Sequence, residues 1–156
     1  MKKFINYLTA ALFLSMVVLS GCGGSDDDGG DGGDTDYETI GTLMNGTYTA
    51  TSVSNPDASD ADWTGFTLTI TGGSADGGNY STAGVPDGFS AVWPASGTWT
   101  FDKSSSTVVI ERNDGVEMDA EITNDLLAQL SFAVESGAAA RTSEVDGTWI
   151  FKLAKQ

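Results

Sequence analysis

Histidine is absent from all 156 residues. The commonest general base and the commonest metal ligand are therefore missing together. A serine nucleophile would need a lysine base instead, and beyond residue 21 the only lysines are Lys103, Lys152 and Lys155. Cysteine occurs once, as Cys22, so no disulfide can form within the chain and no Cys-rich zinc site can exist. Bases are scarce: 7 Lys and Arg stand against 22 Asp and Glu, a formal charge of −15. Such a chain repels phosphate backbones, which argues against nucleic acid as a partner and leaves cations, cationic proteins and neutral ligands. No Gly-rich phosphate loop fits either, because the glycines at 72–78 read as part of a hairpin and do not precede a helix.

The longest apolar stretch lies at the start. Lys2 and Lys3 precede a mostly apolar run from Phe4 to Leu19, followed by Ser20, Gly21 and Cys22. A positive patch, a short apolar core and small residues at the end are the pattern of a removable export signal over residues 1–21. The run is short for a spanning helix, and its following flank is acidic, unlike that of a stop-transfer segment. Leu19-Ser20-Gly21-Cys22 resembles the lipobox of bacterial lipoproteins. The resemblance implies a diacylglycerol on the Cys22 thiol, cleavage before Cys22, and attachment to a membrane through acyl chains. Two or more such chains anchor stably where one does so marginally. No other cofactor is implied.

Residues 22–43 read as a tether. The stretch 23–36 is Gly, Ser, Asp and Thr with nothing apolar to bury, so it should be solvated and extended by its own charge. A flexible coil of about twenty residues spans roughly 25 Å between its ends, enough to lift a domain off lipid headgroups. Ser25-Asp26-Asp27-Asp28 resembles the acidic surface-export signal of lipoproteins in one large group of Gram-negative bacteria. That resemblance implies an address on the outer face of the outer membrane; a solvated spacer with no address is the plainer reading. The repeated Asp does not make an EF-hand. Counted from Asp34, Thr39 falls where Gly is needed and Asn45 where the bidentate Glu is needed; counted from Asp26, Gly30 falls one place early.

Residues 44–156 alternate apolar and polar side chains with period two, which makes the domain all-β. Strands are expected near 46–53, 64–71, 78–82, 97–102, 106–112, 116–123, 126–135 and 147–154. Along the seventh, Leu126, Ala128, Leu130, Phe132 and Val134 should share the inner face. Hairpin turns are expected at Asp114-Gly115, read as a type I′ turn with positive φ at both positions, and at Asn124-Asp125. No stretch shows a helical period. Eight strands with mostly short turns predict an antiparallel up-and-down barrel, with a β-sandwich as the alternative. Such a barrel is either filled by its own side chains or holds one small ligand.

Three strands begin alike: Gly46-Thr47-Tyr48, Gly97-Thr98-Trp99 and Gly147-Thr148-Trp149. The glycine-threonine-aromatic echo is similar to the Gly-x-Trp of lipocalins, and the domain resembles the lipocalin-like domains of small lipoproteins. Tyr48 stands where the first-strand Trp belongs in that family, and the Gly-x-Trp triplets fall on later strands. The resemblance implies an eight-stranded barrel and names no ligand.

Two connections are longer than hairpin loops, and function concentrates on such loops. One holds Asp57, Asp60, Asp62 and Trp63; the other holds Phe89 and Trp93. Trp63, Phe89 and Trp93 fall outside the strand alternation, so they either contact a ligand at the barrel mouth or plug that end of the core. The three aspartates form either a calcium loop or a solvated turn. Glu117, Asp119 and Glu121 alternate with apolar residues and should form a wet acidic stripe. Nothing in the sequence marks two carboxylates as facing across a cleft, so a glycan-active enzyme stands third. The leading expectation is a non-catalytic outer-membrane lipoprotein, facing outward, whose barrel binds a small apolar or glycan ligand. The alternative is a docking or structural subunit of an envelope complex with a filled core.

Overall fold

The computed structural model describes residues 36–56, 61–135 and 145–156. Cys22 and Ser25 to Asp28 lie outside the described residues, as do Asp57 and Asp60. The compact unit over Asp34–Gln156 contains one short helix, α1 (Tyr37–Met44), and eight strands. These are β1 (Gly46–Ser54), β2 (Thr67–Ser74), β3 (Gly77–Ala83), β4 (Ser96–Phe101), β5 (Val109–Arg112), β6 (Glu117–Thr123), β7 (Leu126–Val134) and β8 (Gly147–Lys155). Each strand pairs antiparallel with its neighbour in sequence, and β8 returns to pair with β1. The barrel is closed and the sandwich alternative is excluded. Closure leaves no open sheet edge of the kind that seeds association.

Alternation sets the inner face. Phe66, Leu68 and Ile70 are buried, as are Trp99 with Phe101 and Trp149 with Phe151 and Leu153. The residues between them carry threonine and serine outward; Thr47 and Thr69, opposite one another, touch through their hydroxyls at 3.2 Å. Strand β7 departs from simple alternation. Opposite β6 its register shifts between Gln129 and Leu127, so Ala128 is an extra residue in the ladder. A bulge of one residue turns every side chain before it to the other face. Leu127 is therefore fully buried and Leu126 is 40% exposed, the reverse of the expected arrangement.

The turns follow their residue types with one correction. Asn124 and Asp125 both adopt positive φ, at 51° and 60°, as a type I′ turn demands. At Asp114-Gly115 only Gly115 does, at 84°. Its N–H donates to the Arg112 carbonyl at 2.9 Å and the Arg112 N–H donates to Val116 at 2.9 Å. This is a three-residue loop ending in a left-handed glycine, not the two-residue type I′ turn expected. Strand β2 also begins later than expected, at Thr67.

Residues 37–43, expected to belong to the tether, are helical. Asp36 caps α1 by accepting from the Thr39 N–H at 3.0 Å, with Glu38 in the first turn. Eight residues are too few for a stable isolated helix, so packing must hold it. Met44 is fully buried, Tyr37 lies 4.8 Å from Phe101, and the helix backbone rests on β2 where Gly41 meets Gly73. The Lys155 ammonium donates to the Leu43 carbonyl at the helix C-terminus.

Helix and turns give the barrel two unlike ends. The connections at 75–76, 102–108 and 124–125 lie at the end that α1 covers. The opposite end carries the described parts of the longer connections, 55–56 with 61–66, 84–95, and 135 with 145–146, together with 113–116. The described chain therefore enters at the short-turn end and displays its long loops at the other.

Candidate functional site

Trp63, Phe89 and Trp93 lie at the long-loop end, and all three are inside. They are 7%, 8% and 2% exposed. The segment after Pro86 coils inward: the Phe89 N–H donates to the Pro86 carbonyl, and the Val92 and Trp93 N–H groups donate to the Phe89 carbonyl. That coil drives Trp93 into the barrel, where its ring lies 5.5 to 5.8 Å from Phe66, Tyr80, Phe132 and Phe151. Trp63 stands edge-on to Phe66, Phe89, Trp149 and Phe151 at 5.0 to 5.7 Å. Edge-to-face pairs at these separations are favourable beyond the area they bury. The structure thus brings the three candidates into one aromatic plug.

Beneath the plug the interior is full. The void between Leu68, Ile70, Tyr80, Trp93, Trp99, Ile110, Met118 and Leu130 measures about 10 Å³. That is no larger than the space one water needs.

Sequence reasoning did not place Arg112 in the core. Arg112 ends β5 and is 1% exposed. Its Nε donates to Asp114 Oδ1 at 3.0 Å, its Nη2 donates to Asp114 Oδ2, and its Nη1 donates to the Val92 carbonyl at 2.6 Å. The guanidinium carbon lies 5.1 Å from the centre of the Trp93 ring and 5.6 Å from that of Phe132. The signal was present: Val108, Ile110 and Arg112 share one face of an alternating strand. Burial pushes the Asp114 carboxyl up, but its hydrogen bonds with Arg112 and the Val116 N–H, and the guanidinium charge, together hold it below its ordinary value. Burial raises the Tyr80 hydroxyl, against the opposing pull of Arg112.

The aromatic interior is short of acceptors. Trp149 Nε1 donates to the Val145 carbonyl at 2.9 Å, and the Tyr48 hydroxyl donates to Met44 at 3.0 Å. Trp63 Nε1, Trp93 Nε1, Trp99 Nε1 and the Tyr80 hydroxyl are buried with no hydrogen-bond partner among the described residues.

Among the described residues, two clefts open at this end besides a groove of about 300 Å³ between residues 50–53 and 61–64. One, about 490 Å³, runs between the end of β1, Trp63 and the start of β8; its buried amide, Asn55, donates to the Asp146 carbonyl. The other, about 340 Å³, lies between the end of β3 and the 84–90 segment and has Trp93 in its wall. Asp62 is exposed and accepts from the Thr64 N–H at 3.0 Å and from its hydroxyl. These bonds hold its carboxyl below the ordinary value. It closes a turn. Among the described residues no group of three or more Cys, Asp or Glu side chains gathers as a metal site. Glu117, Asp119 and Glu121 are exposed as expected, and Glu111 stands directly opposite Glu117.

No protein-family model, no curated protein and no solved structure matches the chain.

Proposed function

We propose that the protein is an outward-facing outer-membrane lipoprotein that presents a filled barrel and works by docking to a larger envelope complex through its long-loop end. The filled interior carries this reading: with about 10 Å³ free inside, recognition falls to the outer surface. The two unlike ends support it further. The described chain begins beside the short-turn end, and the longer connections lie at the other. The lipocalin-like resemblance belongs to the same proposal and is supported by the closed eight-stranded meander. The reading assigns no reaction and no cofactor beyond the acyl anchor, and nucleic acid is no partner of so acidic a surface.

The second reading is the small apolar or glycan ligand. The cleft beside Trp93 favours it, because it gives solvent a path to the plug.

Three experiments test the proposal. Cys22→Ala should abolish labelling by a palmitate analogue; persistent labelling rejects the anchor. Removing Asp26 to Asp28 should turn a protease-accessible protein into a protected one on intact cells, and an unchanged pattern rejects the surface address. A photocrosslinker at exposed Ser90, on the long-loop end, should capture an envelope protein that one at Ser104, on the other end, does not. Equal capture from both positions rejects docking through the loops. A small mass retained in a native mass spectrum of protein taken from its own membrane would favour the ligand reading.

A further inference from the structure

We infer that Trp93 is a built-in stopper over an anion-accepting pocket, and that the pocket takes a flat aromatic monocarboxylate when the 84–95 segment swings out. The inference rests on the second, small-ligand reading, and its failure leaves the docking proposal untouched.

Trp93 belongs to a loop, yet it occupies the middle of the aromatic core. Two of its neighbours, Arg112 and Tyr80, carry donors. Arg112 has five N–H groups, and the hydrogen bonds found engage one on Nε, one on Nη1 and one on Nη2. The Tyr80 hydroxyl and the Trp99 indole N–H engage none among the described residues. Buried donors without acceptors are costly, and a core shaped only for stability would avoid gathering them. A carboxylate beside Arg112 and Tyr80 supplies the missing acceptors.

The stopper is held by few polar ties. The Thr82 N–H donates to the Ala95 carbonyl at 2.9 Å, and the Thr82 hydroxyl donates to the Pro94 carbonyl at 2.8 Å. Both lie at the C-terminal root of the segment and can act as its hinge. Further along, Arg112 Nη1 holds the Val92 carbonyl. That last tie is the one a guest would take over, since a charge-assisted bond to a carboxylate is stronger than one to a neutral carbonyl. The same donor thus holds the stopper or the guest, and the two compete. The cleft of about 340 Å³ against Trp93 offers the approach from solvent.

The vacated space fixes the class of guest. It is the space of an indole, walled by Phe66, Tyr80, Phe132 and Phe151, so a flat ring fits it. The acidic surface repels multiply charged anions, which leaves a single carboxylate.

The test uses residues 22–156 with Cys22→Ser, the intact mature chain without its lipid. Indole-3-acetate and neutral indole are titrated by calorimetry into this protein and into its Trp93→Ala variant. We expect Trp93→Ala to bind indole-3-acetate at least about tenfold more tightly than it binds indole, and more tightly than the parent does, because the stopper no longer competes. Equal binding of the two probes denies Arg112 its part and overturns the inference. Equal binding by the parent and by Trp93→Ala places the site elsewhere and also overturns it. Should Trp93→Ala fail to fold, the indole N–H and Arg112 Nε–H resonances of the parent decide the matter. Shifts at Trp93 and Arg112 on addition of millimolar indole-3-acetate support the inference, and unmoved resonances overturn it.

Discussion

Arg112 and Asp114 sit on either side of Asn113, joined by two hydrogen bonds, with the guanidinium fully buried and the carboxylate about a third exposed. The cation lies inside the barrel and the anion meets solvent. Removing the anion therefore leaves an unpaired charge in the core, the costly way to break such a pair. Asp114→Asn should destabilise by about 3 kcal/mol. The pH dependence follows from the lowered carboxyl pKa. A group more acidic in the folded state contributes its stability in full above the ordinary value of 3.8 and loses it as pH falls through the lowered value. The gap in unfolding free energy between wild type and Asp114→Asn should narrow as pH falls below that point. Urea titrations across the range would show it, and a constant gap would count against the pairing.

Gly41 and Gly73 make the contact that seats α1. A methyl group on Gly41 would fall inside the Ser74 backbone, and one on Gly73 inside the Gly41 carbonyl. Neither is a flexible side chain that can yield. Ala is the better helix former, and at a free position Gly41→Ala would stabilise α1 by up to about 1 kcal/mol. Here the clash should win, and both Gly41→Ala and Gly73→Ala should destabilise by about 1–3 kcal/mol. Thermal unfolding measures the sign directly; a stabilised Gly41→Ala would mean the helix is not pressed on β2.

The helix and the bulge show where sequence reading ended. Period-two alternation located eight strands and most inner-face residues, because each side chain's face depends on its nearest neighbours. The helix was hidden because Tyr37 to Met44 is one short amphipathic turn-pair adjoining an acidic tail, and its stability comes from Gly73, about thirty residues away. The face of Leu127 depends on Ala128 bulging opposite β6, which no local pattern announces. Arg112 lay on the correct face of its strand, but its counter-charge, its carbonyl acceptor and its ring partners come from a turn and from a distant loop. Trp63, Phe89 and Trp93 were visible as misfits in the alternation; only the fold decides that they point inward.

Asp125 is held at φ 60°, the second position of a type I′ turn. Asp shares the Cβ clash of Ala but offsets it through local hydrogen bonding by its short polar side chain, and Gly has no Cβ to clash. Asp125→Ala should therefore cost about 1 kcal/mol, while Asp125→Gly should hold or gain stability. Asn124 and Asp125 are exposed at the tip, so no packing change confuses the comparison. Equal losses for Ala and Gly would point to a role for the carboxylate itself.

Trp63 separates a plug from a ligand contact. Its ring touches Phe66, Phe89, Trp149 and Phe151, all core residues, and it is 7% exposed. A residue kept to contact a guest at the mouth can be truncated with little loss of stability, because its face was waiting for solvent or ligand. A residue sealing the core cannot. Trp63→Ala opens a cavity bordered by four aromatic rings that rigid neighbours cannot fill, and should cost about 3–5 kcal/mol. Trp63→Phe should recover much of it, since the unpartnered indole N–H is lost together with some volume. Calorimetric unfolding of the two variants gives the answer: a large loss for Ala largely repaired by Phe identifies the plug, and a loss below about 1 kcal/mol for Ala returns Trp63 to the surface.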